Sequence, residues 1–236
     1  MFEGRIGRYI MSRDERTLGL GQLIARRMQE ESERVERARA EFNFRSIEAQ
    51  IPKGSKVLDV GAWSCYLGEL LRDRMGCQVL SLDVVDVNKT DMPFQVFDGK
   101  CLPVDSGSFD IVLLLYVLHH ASDDEPLLHE ARRVLREGGR VLIAEDSVDG
   151  LWNRILTVGF HVWLWLVTRM SCDGSFRTTS EWQDRFRAAG LKLVSTVGLG
   201  HHLGRRSWPN NTLFVLEEEP GVSRTREPAS QPVTIL

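Results

Sequence analysis

Cysteine is scarce and unpatterned: four occur in 236 residues, Cys65, Cys77, Cys101 and Cys172, and none forms a C-x-x-C pair. That excludes a disulfide scaffold and a zinc site built on paired thiolates, and it points to a reducing, cytoplasmic setting. A surplus of either charge is also missing, with 30 basic against 33 acidic side chains and a net charge of −3. Without a positive surplus there is no general attraction to a polyanionic backbone, so nucleic acid is disfavoured as a substrate. Long apolar runs are absent as well. The longest uncharged apolar stretch, residues 155–168, falls short of the roughly 18 residues that a membrane span requires, which leaves peripheral membrane contact as the only membrane role in view. No charged-then-apolar signal sequence opens the chain. His161, His201 and His202 lack a carboxylate or thiol at ligand spacing, and no metal site is expected.

What is present is an ordinary globular composition, 42% hydrophobic and 27% charged, enough for one large α/β domain with elaborations. The charge is unevenly spread. Residues 56–149 hold nine basic and seventeen acidic side chains, a net of −8, while residues 1–55 and 150–219 each carry +2. An acidic centre suits either a cationic or hydroxyl-rich ligand or simply solvated helix faces.

Residues 12–50 alternate Arg and Glu at helical spacing around a sparse stripe that includes Leu18, Leu23, Ile24, Met28 and Val35, and read as an N-terminal helical extension over 1–50. Pro52 and Gly54 break it, and a main domain over 51–219 follows. Buried strands are predicted at 56–61, 78–84, 94–98, 109–116 and 140–145, with helices at 67–75 and 125–136, the second stopping at Gly138 and Gly139. Such alternation predicts a doubly wound, mostly parallel seven-stranded sheet. Thr178 and Glu181 form a capping box for a helix at 179–189, and strands at 191–197 and 212–217 form an antiparallel edge. Residues 147–182 are an insert, and 220–236 read as a disordered tail.

In such a sheet ligands bind beyond the carboxyl ends of the strands, so the residues that close each strand are informative. Gly61 follows the first strand and lets the backbone turn sharply into a helix. Asp83 closes the second, 22 residues on, where a carboxylate accepts ribose hydroxyls. His119, His120 and Asp146 follow the fourth and fifth strands. They are candidates for a general base, or polar residues that merely cap strand ends.

At these residues the chain resembles the class I S-adenosylmethionine-dependent methyltransferases. The resemblance lies in VLDVGAWSCYLG (57–68), SLDVVD (81–86), FDGKCLPVDSGSFDIVLLLYVLHH (97–120) and LLHEARRVLREGGRVLIAED (127–146), the last in the manner of quinone and small-molecule methyltransferases. It implies S-adenosylmethionine as cofactor, with Asp59 and Gly61 beside its methionine part, Asp83 on the ribose, Asp98 with Gly99 on the adenine side and Tyr116 beside the sulfonium. It also implies methyl transfer to oxygen or carbon of a small hydrophobic, quinone-like acceptor.

One departure stands out. Where the family's first motif usually has its second and third glycines, this chain has Trp63 and Cys65. Two outcomes are open: an altered pocket with Trp63 or Tyr66 as a cation–π partner of the sulfonium, or a chain that has given up the cofactor. Accordingly two alternatives stand beside methyl transfer: another transfer from the same cofactor, and a noncatalytic binding or partner subunit. The uncharged segment 155–168 lies where this family commonly covers its substrate. Trp163 and Trp165 are expected to line the acceptor pocket and Arg177 to hold a polar head group.

Overall fold

The computed structural model describes residues 20–221, apart from 122, 152–153, 156, 160–161, 163–176 and 200–210. Among these residues seven strands form one sheet: β1 (Lys56–Val60), β2 (Gln78–Asp83), β3 (Phe94–Val96), β4 (Phe109–Leu115), β5 (Leu135–Asp146), β6 (Leu191–Leu199) and β7 (Asn211–Glu218). Their spatial order is β3-β2-β1-β4-β5-β7-β6. The first five run parallel, while β7 pairs antiparallel with both β5 and β6. The doubly wound sheet with an antiparallel edge is therefore present, and strand order reverses between β1 and β4.

Period-two alternation divides the core into two halves, one on each face of the sheet. Val57, Val79, Ile111, Leu113, Leu142, Ala144, Leu213 and Val215 meet α1 (Leu20–Ile47) and α2 (Tyr66–Met75). Leu58, Val60, Leu82, Val112, Leu114, Val141, Ile143 and Phe214 meet α3 (Glu125–Val134) and α4 (Thr179–Ala188). The predicted capping box opens α4, with Thr178 accepting from the Glu181 N–H while the Glu181 side chain takes the Thr178 N–H.

Two expectations need correction. The first concerns the apolar stripe of the N-terminal helix: Ala40, Phe44 and Ile47 are buried against α2 and the sheet, whereas Met28 and Val35, read as part of that stripe, face solvent. Only its last turns carry the spacing that packs. The second concerns the expected helix over 125–136, which ends at Val134, with β5 beginning at Leu135 rather than Arg140. Leu135 pairs with Phe109 and Arg140 with Ile111, so the residues between bulge out of register. Gly138 takes φ +74°, and a Cβ on Gly139 would lie 2.7 Å from the Asp110 carbonyl oxygen. Both glycines therefore shape a strand excursion and do not stop a helix. Most of the insert and the tail, with Trp163 and Trp165, lies outside the described residues.

Candidate active site

The loop between β1 and α2 sits at the carboxyl end of the sheet, beside the point of reversal. Gly61 has φ +75°, and a Cβ there would lie 2.3 Å from Val117 Cγ2, so glycine is required both by conformation and by space. Trp63 (φ +49°) and Cys65 (φ +62°) are also left-handed. The loop thus keeps the backbone track that glycine favours while carrying two side chains that do not, at about 1–2 kcal/mol each. The indole resolves the steric problem by turning outward, 47% exposed, while the Cys65 thiol is buried, contacts the Trp63 carbonyl at 3.6 Å and is pushed by burial up to about 12.

Two strand-end carboxylates back this loop. Asp83 Oδ2 accepts the Trp63 N–H at 2.8 Å, and Oδ1 accepts that of Val84 at 2.7 Å, so the carboxylate ties the loop to β2. Asp59, 3% exposed, is left short: its Oδ2 has no hydrogen-bond partner among the described residues. Burial first, and negative Asp83 second, push its carboxyl up to about 7. A buried carboxylate without a cation is destabilising unless something else supplies the donor.

Beyond β4 the chain makes a short 3-10 turn, Leu118–His120. His119 is buried and its Nδ1 lies 2.6 Å from Glu145 Oε2, while Glu145 Oε1 accepts the Leu118 N–H at 2.7 Å. Burial opposes protonation of this imidazole, but Glu145 outweighs it and the pKa is raised. His120 is exposed, its ring 4.1 Å from that of His119. Asp146 is pushed up to about 6, mainly by burial. Tyr116, in left-handed conformation at φ +61°, lies beneath Arg39 of α1, whose guanidinium is 5.3 Å from the ring centroid. These groups therefore gather at the ends of β4 and β5 but divide between the two faces of the sheet, His119 with Glu145 on one and Tyr116 with Asp146 on the other. Sequence reasoning passed over Glu145, although it closes the apolar run RVLIA just as Asp59 and Asp83 close theirs.

Other expected residues are placed differently. Tyr66 is buried against α1, with the Arg37 guanidinium 3.9 Å from its ring centroid, and so is packed as a helix contact rather than set beside the reversal point. Arg177 is engaged by the buried carboxylate of Asp124 and lies over the Trp182 ring at 4.7 Å, so it ties the start of α4 to α3. Asp98 is exposed and its Oδ1 accepts the N–H groups of Lys100 and Cys101, both at 2.8 Å, so it is at least a turn former, followed by Gly99 at φ +79°. A cavity of about 730 Å³ opens at the opposite, amino ends of β1 and β2, lined by Lys56, Gln78, Leu80 and Phe109. It lies away from all the groups above.

Residues 58–143 match the family described as Methyltransferase domain. The chain is 32% identical over 129 residues to a sarcosine/dimethylglycine N-methyltransferase of Halorhodospira halochloris, covering 47% of this chain and 46% of that protein. It is 26% identical over 186 residues to a ubiquinone biosynthesis O-methyltransferase of Cereibacter sphaeroides, covering 73% and 74%. It spans less than half the length of several of the curated relatives it matches. Among solved structures, a Thermotoga maritima S-adenosylmethionine-dependent methyltransferase, described as a possible histamine N-methyltransferase, superposes with a TM-score of 0.61 at 16% identity, covering 82% of this chain and 97% of that one. S-adenosylmethionine, the cofactor of this fold, fits what the loop presents: left-handed backbone at residues 61, 63 and 65 and an unpartnered buried carboxylate oxygen suited to a cationic group. With the motif order, the sheet topology and the site all in agreement, residues 58–143 carry a methyltransferase domain, on a fold shared with S-adenosylmethionine-dependent methyltransferases.

Proposed function

We propose that this chain transfers a methyl group from S-adenosylmethionine to an oxygen or carbon of a small hydrophobic acceptor, with His119 as the general base. The observation that carries the proposal is the 2.6 Å contact between His119 and buried Glu145 at the strand ends next to the cofactor loop. When bound, S-adenosylmethionine supplies an electrophilic methyl group. Asp59 and Gly61 would hold its methionine part, Asp83 the ribose, and Asp98 with Gly99 the adenine side, leaving Trp63 at the mouth. Methyl transfer is mainly a matter of alignment, and a base is needed where the acceptor must lose a proton.

Glu145 fixes the imidazole through Nδ1, so that Nε2 is the atom that takes the proton, and it stabilises the imidazolium that results. Because the His119 pKa is raised, the neutral, base-competent form grows as pH rises through that value. Asp146 on the adjoining face is the second candidate, and exposed His120 is the weaker imidazole. The apolar side chains of Leu151, Ile155, Val158 and Val162 face solvent in the insert, which supports a lipophilic acceptor. The expected contributions of Trp163 and Trp165 belong to the same reading.

The test is incubation with S-adenosylmethionine labelled at its methyl group and a panel of hydrophobic phenols and quinols, reading label in the organic extract. Transfer should fall by about 10² in His119→Ala. In Glu145→Gln the acid limb of the pH profile should move to lower pH, because the carboxylate that raises the imidazole pKa is gone. Absence of transfer to every phenol and quinol, with S-adenosylhomocysteine still bound, rejects the acceptor class.

A further inference from the structure

Three polar groups lie side by side at the carboxyl ends of β4 and β5 and the amino end of β7, on the face covered by α1 and α2. Asn211 stands opposite Asp146 in the antiparallel register of β5 and β7. By alternation both share the face of Ala144 and Leu213. Tyr116 donates its backbone N–H to the Ala144 carbonyl at 2.7 Å, which brings its side chain alongside them. Asn211 is 5% exposed, yet among the described residues its Oδ1 has no hydrogen-bond partner, and neither has the buried Oη of Tyr116. Asp146 is half-buried, and its carboxyl is pushed up to about 6. An unpaired buried acceptor is destabilising by about 1–3 kcal/mol, so folded chains rarely keep one without a use. Here two of them border a third acceptor at the rim where this fold binds its ligands.

Asn211 Oδ1 and the Asp146 carboxylate accept hydrogen bonds and call for a donor, whereas the Tyr116 hydroxyl can both accept and donate. The donor must come from an N–H or an O–H of a ligand. A hydroxyl meets all three, donating to Asn211 or Asp146 while accepting from Tyr116, which an ammonium cannot do, and Arg39 above the Tyr116 ring adds a positive charge that disfavours a cation. We infer that Tyr116, Asp146 and Asn211 form an acceptor subsite that grips a hydroxyl group of the molecule to be methylated. The inference rests on the methyltransferase reading above and narrows its acceptor to hydroxylated compounds.

The test uses three probes of similar shape, 2-naphthol, 2-methylnaphthalene and 2-naphthylmethylammonium, titrated separately into the whole chain by NMR. The wild type should bind 2-naphthol at least about fivefold more tightly than either of the others. Tyr116→Phe and Asn211→Leu should each erase most of that preference and leave 2-methylnaphthalene affinity unchanged. Tyr116→Phe removes a hydroxyl that has no partner among the described residues, so it reports even if Asn211→Leu fails to fold. Naphthol binding no tighter than methylnaphthalene binding, whether both bind or neither does, overturns the subsite. So does a preference for the ammonium, or a naphthol preference that survives in the folded variants. S-adenosylhomocysteine is titrated into the same samples: failure to bind rejects the methyltransferase reading, while the naphthol ratio judges the subsite separately.

Discussion

Asp124 and Asp59 are both carboxylates at the end of a secondary-structure element, 1% and 3% exposed, and they are treated in opposite ways. Asp124, at the start of α3, is saturated. It takes the guanidinium of Arg177 on one oxygen and that of Arg185 on the other, the Arg185 Nε at 2.9 Å. Asp59, at the end of β1, has among the described residues no cation, one unpartnered oxygen and a second carboxylate nearby. A buried charge with full compensation holds helices in place, as Asp124 joins α3 to α4 and to the strand bridge at Ser147 and Arg177. A buried charge without compensation is kept against the interest of stability and marks where a ligand is expected.

The largest effect should come from breaking the saturated site. Asp124→Ala strands the Arg177 guanidinium, leaves Arg185 with only Asp123 and Glu125 at 3.5 Å, and should lower stability by about 3–5 kcal/mol in urea denaturation. A loss below about 1 kcal/mol would erase the contrast from one side. Asp59→Asn tests the other side and should act in the reverse direction. The Asp59 carboxyl is held at about 7, so the folded chain prefers it protonated. The corresponding stability is present at acid pH and is lost as pH rises towards and through 7. At pH 8 the amide should therefore be more stable than wild type by more than about 1 kcal/mol, with no gain at pH 4, while S-adenosylmethionine affinity drops about tenfold. Equal stability at both pH values, with affinity intact, would make Asp59 an ordinary core residue. The smallest effect concerns the loop that Asp59 and Asp83 back. Trp63→Gly relieves a left-handed residue but loosens the unfolded chain, and should change stability by no more than about 1 kcal/mol while cofactor affinity holds or improves. Affinity lost in calorimetry would show instead that the indole itself touches the cofactor.

The legibility of these features in the sequence follows their range. Strands such as FDIVLLL and the capping box at Thr178 are local patterns, and they appear within a few residues of where the periodicity puts them. The chemistry that closes strands was legible at Asp59 and Asp83 for the same reason. The tie made by Arg177 was not: its partner is 53 residues away, and nothing near position 177 marks it. Gly138 and Gly139 end helices in most contexts, and only the pairing of Leu135 with Phe109 reveals that a strand had already begun. Glu145 was overshadowed by Asp146, because a sequence read without faces gives two successive acids one role.

That excursion between Leu135 and Arg140 determines how the chain tolerates a change in length. Residues added or removed there alter a bulge and leave every pairing from Arg140 onward in place. One residue gained or lost between Arg140 and Glu145 has no such buffer, and it would exchange the directions of the last two acids, presenting Glu145 to α1 and Asp146 to His119. Natural length variation in this strand should therefore gather at its first five residues and be absent from its last seven.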